Sequence, residues 1–247
     1  MNSIYVAFVK SNTKSGSLIR KITHWNYSHI SISIDDNLKE YYAFSRLNYR
    51  SSFLAGFTKE YHSNYSQLKA TPFEVAYYKI PISEEECKKI FSFIDVVSTD
   101  KEYIFNYPSM FTLKLIHGFE VCKSYNCITF VTKMLTFISC VKLTKKYYKY
   151  DINEIEKDIK DFFYKKEKIT VTEPEENNPF YNEIPYLKRK ALEIELFNEC
   201  IYRWIFKRVS AKYRRRNELS LKRTNVKNFN KHADNYDDCL YLYNPRK

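Results

Sequence analysis

Two side chains in this sequence, Cys127 and His29, have the type and setting needed for thiol chemistry. Cys127 lies in the segment Tyr-Asn-Cys-Ile-Thr-Phe-Val, where apolar residues recur at helical spacing. With Asn126 as N-cap, this spacing predicts a helix over residues 126–138 that carries Cys127 in its first turn. Free backbone N–H groups and the helix dipole stabilise a thiolate there, and the same groups can bind an oxyanion. Free cysteines also commonly serve as buried packing residues, and this alternative stays open for Cys127.

His29 begins an alternating segment that predicts a strand over residues 29–35. The alternation places the isoleucines on one face and His29, Ser31 and Ser33 on the other. A neutral imidazole is the usual base for a thiol nucleophile near pH 7. The alternative interpretation is a histidine on an exposed strand face.

The elements that must position these two residues are predicted from periodicity and capping signals. Residues 46–72 read as a loop with Gly56 in the middle, and residues 100–125 read as irregular. Ser83 and Glu86 form a capping box at the start of one helix. The predicted strands cover residues 4–9, 29–35, 40–45, 73–80 and 168–171, and the predicted helices cover residues 15–25, 83–97, 126–138, 150–163 and 186–216.

The order and context of three motifs resemble the permuted papain-like (NlpC-type) cysteine amidase superfamily, to which lecithin:retinol acyltransferase-like enzymes are related. The motifs are Ser-His-Ile-Ser-Ile-Ser at 28–33, Tyr-Tyr-Ala-Phe-Ser at 41–45 and Tyr-Asn-Cys-Ile-Thr-Phe-Val at 125–131. In that group the histidine strand precedes the cysteine helix, as it does here over residues 3–171. The resemblance implies an α+β, circularly permuted papain-like fold in which an antiparallel sheet packs against the helix that bears the cysteine.

The resemblance also implies roles for particular residues. Cys127 matches the nucleophile and His29 matches the general base. In relatives a polar side chain on the strand after the histidine strand orients the imidazole. The matching position here is near Phe44, which cannot do this, so Ser45 and Glu60 are the candidates.

Two further features concern how the substrate is held. Ser31 stands where relatives have a small glycine two residues after the histidine, and the Gly-Asp often seen in their first strand is missing. The backbone N–H of Cys127 would hold the oxyanion, with a second donor from Tyr5 or Tyr125 and with Asn126 at the same helix start.

The charge of the chain is concentrated near its C-terminus. The net charge is +12, and residues 187–231 contain 14 basic and 4 acidic side chains. We therefore expect a catalytic domain over residues 1–172, a linker over residues 173–185 and a basic amphipathic helical tail over residues 186–247. An apolar stripe is predicted for the tail, formed by Ile194, Phe197, Ile201, Trp204 and Ile205. An anionic membrane or a nucleic acid could bind through residues 186–216, or the stripe could simply dock on the catalytic domain.

The composition narrows the classes of function. The six cysteines form no C-x-x-C pair, no histidine cluster has metal-ligand spacing, and no phosphate-binding glycine loop occurs, so we expect neither a metal nor a cofactor. We expect a cytoplasmic protein, with peripheral membrane association as an alternative, because neither a signal peptide nor a membrane-spanning segment is apparent.

The sequence thus predicts a thiol hydrolase that acts through a covalent acyl-enzyme on an amide or ester in a peptide, a cell-wall fragment or a lipid. The alternatives are an acyltransferase and a non-catalytic papain-like binding module.

Overall fold

The computed structural model describes residues 2–66, 72–116 and 118–207. The part of the predicted basic tail beyond residue 207 lies outside these ranges. Within these ranges there are eight strands: β1 (Asn2–Lys10), β2 (His29–Ser33), β3 (Tyr41–Arg46), β4 (Ala55–Glu60), β5 (Phe73–Ile82), β6 (Ile104–Phe105), β7 (Ser124–Tyr125) and β8 (Phe163–Ile169).

The main sheet has six strands in the order β4-β3-β2-β1-β5-β8. Every neighbouring pair in it is antiparallel, whereas β6 and β7 form a separate two-stranded parallel sheet. The predicted α+β class with an antiparallel sheet is therefore confirmed.

β1 is the central element that places His29. Its apolar run from Ile4 to Val9 is fully buried because β2 and β5 flank it and other elements cover both of its faces. Val9 pairs with His29 across the β1–β2 ladder, which fixes the imidazole at the start of β2.

Seven helices accompany the sheets in the described chain. They are α1 (Lys14–Thr23), α2 (His62–Ser66), α3 (Glu84–Thr99), α4 (Tyr107–Ile116), α5 (Cys127–Leu135), α6 (Ile152–Asp158) and α7 (Tyr186–Tyr202). The predicted Ser83–Glu86 capping box starts α3 as expected. α7 continues into a π-helical turn, Arg203–Lys207. None of the described helices is both long and apolar enough to cross a membrane.

α5 is anchored to the sheet by aromatic packing. It contacts β2 and β3, and the Phe130 ring lies 5.4 Å from the Phe44 ring and 5.7 Å from the Phe57 ring. Phe130 and Phe44 are both fully buried. Burial of one such ring contributes about 2 kcal/mol, which holds the start of α5 in a fixed place beside the sheet.

Two regions that were predicted to be loop-like or irregular contain regular structure. Residues 46–72 include β4 and α2, and residues 100–125 include β6, α4 and β7. β4 contains Gly56 and two charged residues, so its own composition is a poor strand signal, and it forms through its ladder with β3. Pro108, in the first turn of α4, was an available helix-start signal.

The predicted linker and the described start of the predicted tail pack with the rest of the described chain. Residues 186–207 belong to the same compact unit as the sheet. Within the predicted linker, Asn178 and Phe180 are buried, and the Tyr49 N–H donates to the Phe180 carbonyl. A segment rich in Pro, Glu and Asn can thus be ordered where its polar groups find partners.

Candidate functional site

The start of β2 and the start of α5 bring His29 and Cys127 together. The two residues are 98 positions apart in the sequence, yet the Cys127 side chain lies close enough to the imidazole to help raise the pKa of His29. Cys127 is partly exposed, and the His29 side chain retains 15% exposure. The pair is therefore reachable from solvent but largely shielded from it.

A buried carboxylate holds the far side of the imidazole. His29 Nε2 lies 2.8 Å from Glu60 Oε2, and the Glu60 side chain is only 3% exposed. A carboxylate can only accept, so Nε2 carries the proton in this hydrogen bond. Nδ1 is then the imidazole nitrogen left to exchange a proton with the Cys127 thiol.

Glu60 receives further donors that fix its position. The Ser45 hydroxyl donates to Oε1, and the Tyr65 hydroxyl donates to Oε2 at 3.0 Å. Because the Tyr65 proton is used in this way, the Ser31 hydroxyl donates to Tyr65 at 3.1 Å. A hydrogen-bonded chain therefore runs from Ser31 through Tyr65 and Glu60 to His29.

This environment favours the charged forms of both members of the His29–Glu60 pair. Burial lowers the pKa of His29, but the Glu60 carboxylate and the contact with Cys127 outweigh burial and raise it. Burial raises the pKa of Glu60, but the His29 charge and the hydrogen bonds from His29, Ser45 and Tyr65 outweigh it and hold the pKa below its ordinary value. At neutral pH the site therefore holds an imidazolium beside the cysteine.

The start of α5 supplies backbone donors next to the thiol. Asn126 is the N-cap: its side chain accepts from the Thr129 N–H at 2.9 Å, and the Thr129 hydroxyl accepts from the Asn126 N–H at 2.9 Å. The first helical hydrogen bond runs from Phe130 N–H to Asn126 O. The N–H groups of Cys127 and Ile128 consequently have no acceptor within the helix, and such groups at a helix start can bind an anion.

Replacing Asn126 with alanine is expected to lower the free energy of unfolding by about 1–2 kcal/mol, because the capping box is lost. It should also slow the alkylation of Cys127, since the first turn of α5 would fray. Urea unfolding and peptide-level mass spectrometry measure the two effects.

Ser83→Ala removes the equivalent cap of α3 and is the matched control. It should cost similar stability and leave the alkylation rate of Cys127 unchanged. Equal alkylation rates in the wild type and in Asn126→Ala would contradict this role of the cap.

Four of the candidate residues from the sequence meet in one place: Cys127, His29, Glu60 and Ser45. Asn126 lies beside them, but its side chain is used for capping and for a 3.4 Å contact with the Ser109 hydroxyl. Asn126 thus shapes the helix start and does not offer its amide to a substrate.

The structure does not bring Tyr5 or Tyr125 to the pair. Tyr5 pairs with Ser33, at the opposite end of β2 from His29, and its hydroxyl donates to Asp36 at 2.9 Å. The Tyr125 ring is buried in an aromatic cluster with Phe44, Phe93, Tyr103, Phe130 and Tyr147. Neither hydroxyl is therefore placed to act as the predicted second oxyanion donor.

Sequence reasoning missed Tyr65 and the role of Ser31. Tyr65 lies in α2, a five-residue helix with no capping or periodic signal in the sequence. Ser31 shares the strand face of His29 but was noted only as a departure from glycine. Its position two residues after His29 was the available signal for a role beside the imidazole.

His62 takes part in a second polar network. Its Nε2 lies 2.7 Å from the Tyr41 hydroxyl and 3.2 Å from the Tyr77 hydroxyl. Burial lowers the pKa of His62, which favours its neutral form. Within the described part of the chain, no group of three or more His, Cys, Asp or Glu side chains is arranged to hold a metal ion.

Comparison with known proteins identifies no family for this chain. No family model matches the chain, and neither a curated protein nor a solved structure matches it.

Proposed function

We propose that this protein is a cysteine hydrolase of the amidase, peptidase or esterase type, with Cys127 as nucleophile, His29 as base and Glu60 as the group that orients His29. One observation carries the proposal: a thiol at a capped helix start lies beside an imidazole whose Nε2 is held at 2.8 Å by a buried carboxylate. This is the nucleophile, base and orienting group arrangement of thiol and serine acyl-transfer enzymes.

The reaction starts from the ion pair in which the Cys127 proton resides on His29 Nδ1, so that a thiolate lies beside the imidazolium. The thiolate sulfur then attacks the carbonyl carbon of an amide or ester, and the carbonyl π electrons move to oxygen. Collapse of the tetrahedral intermediate expels the amine or alcohol, which takes the proton from His29. Water, deprotonated by His29, attacks the resulting thioester and releases the acid and free Cys127.

The site supports both stages of this cycle. The N–H groups of Cys127 and Ile128 are the proposed donors to the oxyanion, and the dipole of α5 adds to their effect. Glu60 keeps the proton of His29 on Nε2, so Nδ1 remains the nitrogen that exchanges with the thiol and the leaving group. Such orientation of the base is worth orders of magnitude in rate in related triads.

The order of elements supports the further proposal that the fold is a circularly permuted papain-like fold. The histidine strand β2 precedes the cysteine helix α5, and α5 packs against the antiparallel sheet. One departure concerns the orienting group. In relatives it lies on the strand after the histidine strand, whereas here Glu60 comes from β4 and Ser45, on β3, bonds to it.

Catalysis is favoured over a non-catalytic binding role by the completeness of the hydrogen-bonded chain. A binding module would not need a buried ion pair aimed at a cysteine, and burying such a pair is costly. Peptides, cell-wall fragments and lipids all offer the required carbonyl. If an amine or alcohol attacked the same acyl-enzyme in place of water, the acyl group would be transferred to it.

The acyl-enzyme provides the test. The purified chain is mixed with p-nitrophenyl acetate, and intact-protein and peptide mass spectrometry follow the label. We expect a burst of nitrophenolate and one acetyl group on Cys127 in the wild type and neither in Cys127→Ala. Cys140→Ala removes an exposed cysteine and is the matched control, which should behave as the wild type. Acetylation spread evenly over the cysteines, with no burst, would reject the proposal.

A further inference from the structure

The last described helix, α7 with the π-helical turn after it, turns polar side chains inward. Glu193, Cys200 and Arg203 are 6%, 0% and 7% exposed. Glu193 accepts from the Ser51 hydroxyl at 2.6 Å, and Arg203 donates to the Glu102 carbonyl at 2.5 Å. Polar contacts therefore form part of the buried side of this segment.

The opposite side carries large apolar residues. Leu187, Ile194, Ile205 and Phe206 are 81%, 59%, 52% and 66% exposed. Leu187, Ile194 and Ile205 are separated by about two and three helical turns, so they align along one side. The Tyr202 ring lies 5.2 Å from Phe206 and extends the same surface. These five residues are the apolar strip.

The apolar strip departs from the predicted stripe in a specific way. The Phe197 and Trp204 rings lie 5.5 Å from Tyr107 and from Phe119 respectively, although Phe197 remains 37% exposed. Ile194 and Ile205, predicted to share one stripe with them, are more than half exposed. Several large apolar residues exposed along one helix are typical of a docking surface.

The charge around the strip restricts what can dock there. Lys188, Arg189 and Lys190 lie beside Leu187 at the start of α7, and residues 207–223, which follow the strip directly in sequence, contain eight basic side chains and one acidic one. A second copy of the chain would bring the same positive charge to the interface. A nucleic acid would match the charge but would not accept aliphatic side chains.

We propose that the apolar strip binds an anionic lipid bilayer, with α7 lying in the headgroup region. Aliphatic and aromatic side chains enter the acyl boundary, while the neighbouring lysines and arginines contact anionic headgroups. This interaction goes beyond the proposed hydrolase activity and does not depend on Cys127.

Vesicle co-sedimentation of the full chain tests the strip. Vesicles of phosphatidylcholine with roughly one-third phosphatidylserine are compared with pure phosphatidylcholine. We expect clear preference for the anionic vesicles and at least about tenfold weaker binding in Ile194→Glu/Ile205→Glu, because two apolar contacts with lipid are replaced by charges that anionic lipid repels. Cys127→Ala should bind as the wild type, which separates this proposal from the hydrolase.

Leu18→Glu/Ile22→Glu on α1 is the matched control, because Leu18 and Ile22 are exposed to nearly the same extent, 57% and 56%. It should retain most of the binding. Three results would overturn the proposal: no preference for anionic vesicles, equal binding by the Ile194→Glu/Ile205→Glu variant, or a loss in that variant of self-association or DNA binding while vesicles are not bound.

Discussion

Replacing His29 with alanine is expected to slow the alkylation of Cys127 by iodoacetamide at pH 6 by roughly 30- to 100-fold. An ordinary cysteine thiol has a pKa near 8.5, so fewer than about one in a hundred such thiols are ionised at pH 6. The raised pKa of His29 keeps an imidazolium beside Cys127 at this pH, and a neighbouring imidazolium is a usual means of activating a cysteine nucleophile. Alanine removes that charge, and the fast reaction at low pH should disappear.

Alkylation is measured residue by residue, by peptide mass spectrometry from pH 5 to 9. Cys140 is exposed and serves as an internal reference whose rate should rise with pH equally in both proteins. A wild-type Cys127 that reacts like Cys140 across the range, and is unchanged by His29→Ala, would mean an inert thiol. The search for function would then move from Cys127 to the surface of α7.

The two reacting groups could be predicted from the sequence because their signals are local. The alternation that begins at His29 identifies β2, and the Asn126 N-cap identifies the start of α5. Strand alternation and helix capping depend on residues only a few positions apart, so neither requires knowledge of the fold.

Glu60, the third member of the site, was named as a candidate from the sequence, but the strand that carries it and the contacts that hold it were not predictable. Glu60 was assigned to a loop, since β4 is short, contains Gly56 and carries charged residues. β4 becomes a strand by pairing with β3, and Tyr65 reaches Glu60 from a helix of five residues. Both contacts depend on tertiary structure, which overrides weak local preference.

The orientation of α7 shows a second limit of prediction from the sequence. Its sequence has apolar residues around much of the helix, so periodicity alone does not say which side faces the core. Three tertiary contacts fix its rotation. The Phe197 ring lies against Tyr107, and the Trp204 ring lies against Phe119. The Cys200 sulfur lies 3.9 Å from the Ser124 hydroxyl. Ile194 and Ile205 consequently lie on the exposed side of the helix.

Replacing Glu60 with glutamine is expected to lower the free energy of unfolding by about 3 kcal/mol at pH 6. The substitution keeps the size of the side chain but leaves the largely buried His29 without its counter-charge, and breaking a buried ion pair typically costs a few kcal/mol. Urea unfolding of both proteins at equilibrium measures the difference.

Glu74→Gln is the matched control. Glu74 lies on β5 and pairs at 2.7 Å with Lys166, whose side chain is 45% exposed. An ion pair at the surface contributes little, so this substitution should cost about 1 kcal/mol or less. Equal losses in the two variants would mean that the Glu60–His29 pair is no more than a surface-like contact.

The stability difference between the wild type and Glu60→Gln is expected to change with pH in a defined direction, both as the pH falls and as it rises. The pKa of Glu60 is lower in the folded protein than its ordinary value of 4.5, so its contribution is present above pH 4.5 and is lost as the pH falls through the folded pKa. The pKa of His29 is raised from 6.5 to about 10, so its contribution is complete below pH 6.5 and is lost as the pH rises toward 10. The stability difference between wild type and Glu60→Gln should therefore be largest between about pH 5 and 6.5 and shrink in both directions. A difference that stays constant from pH 4 to 9 would show that Glu60 acts through packing alone, and His29 would then lack the charge that activates Cys127.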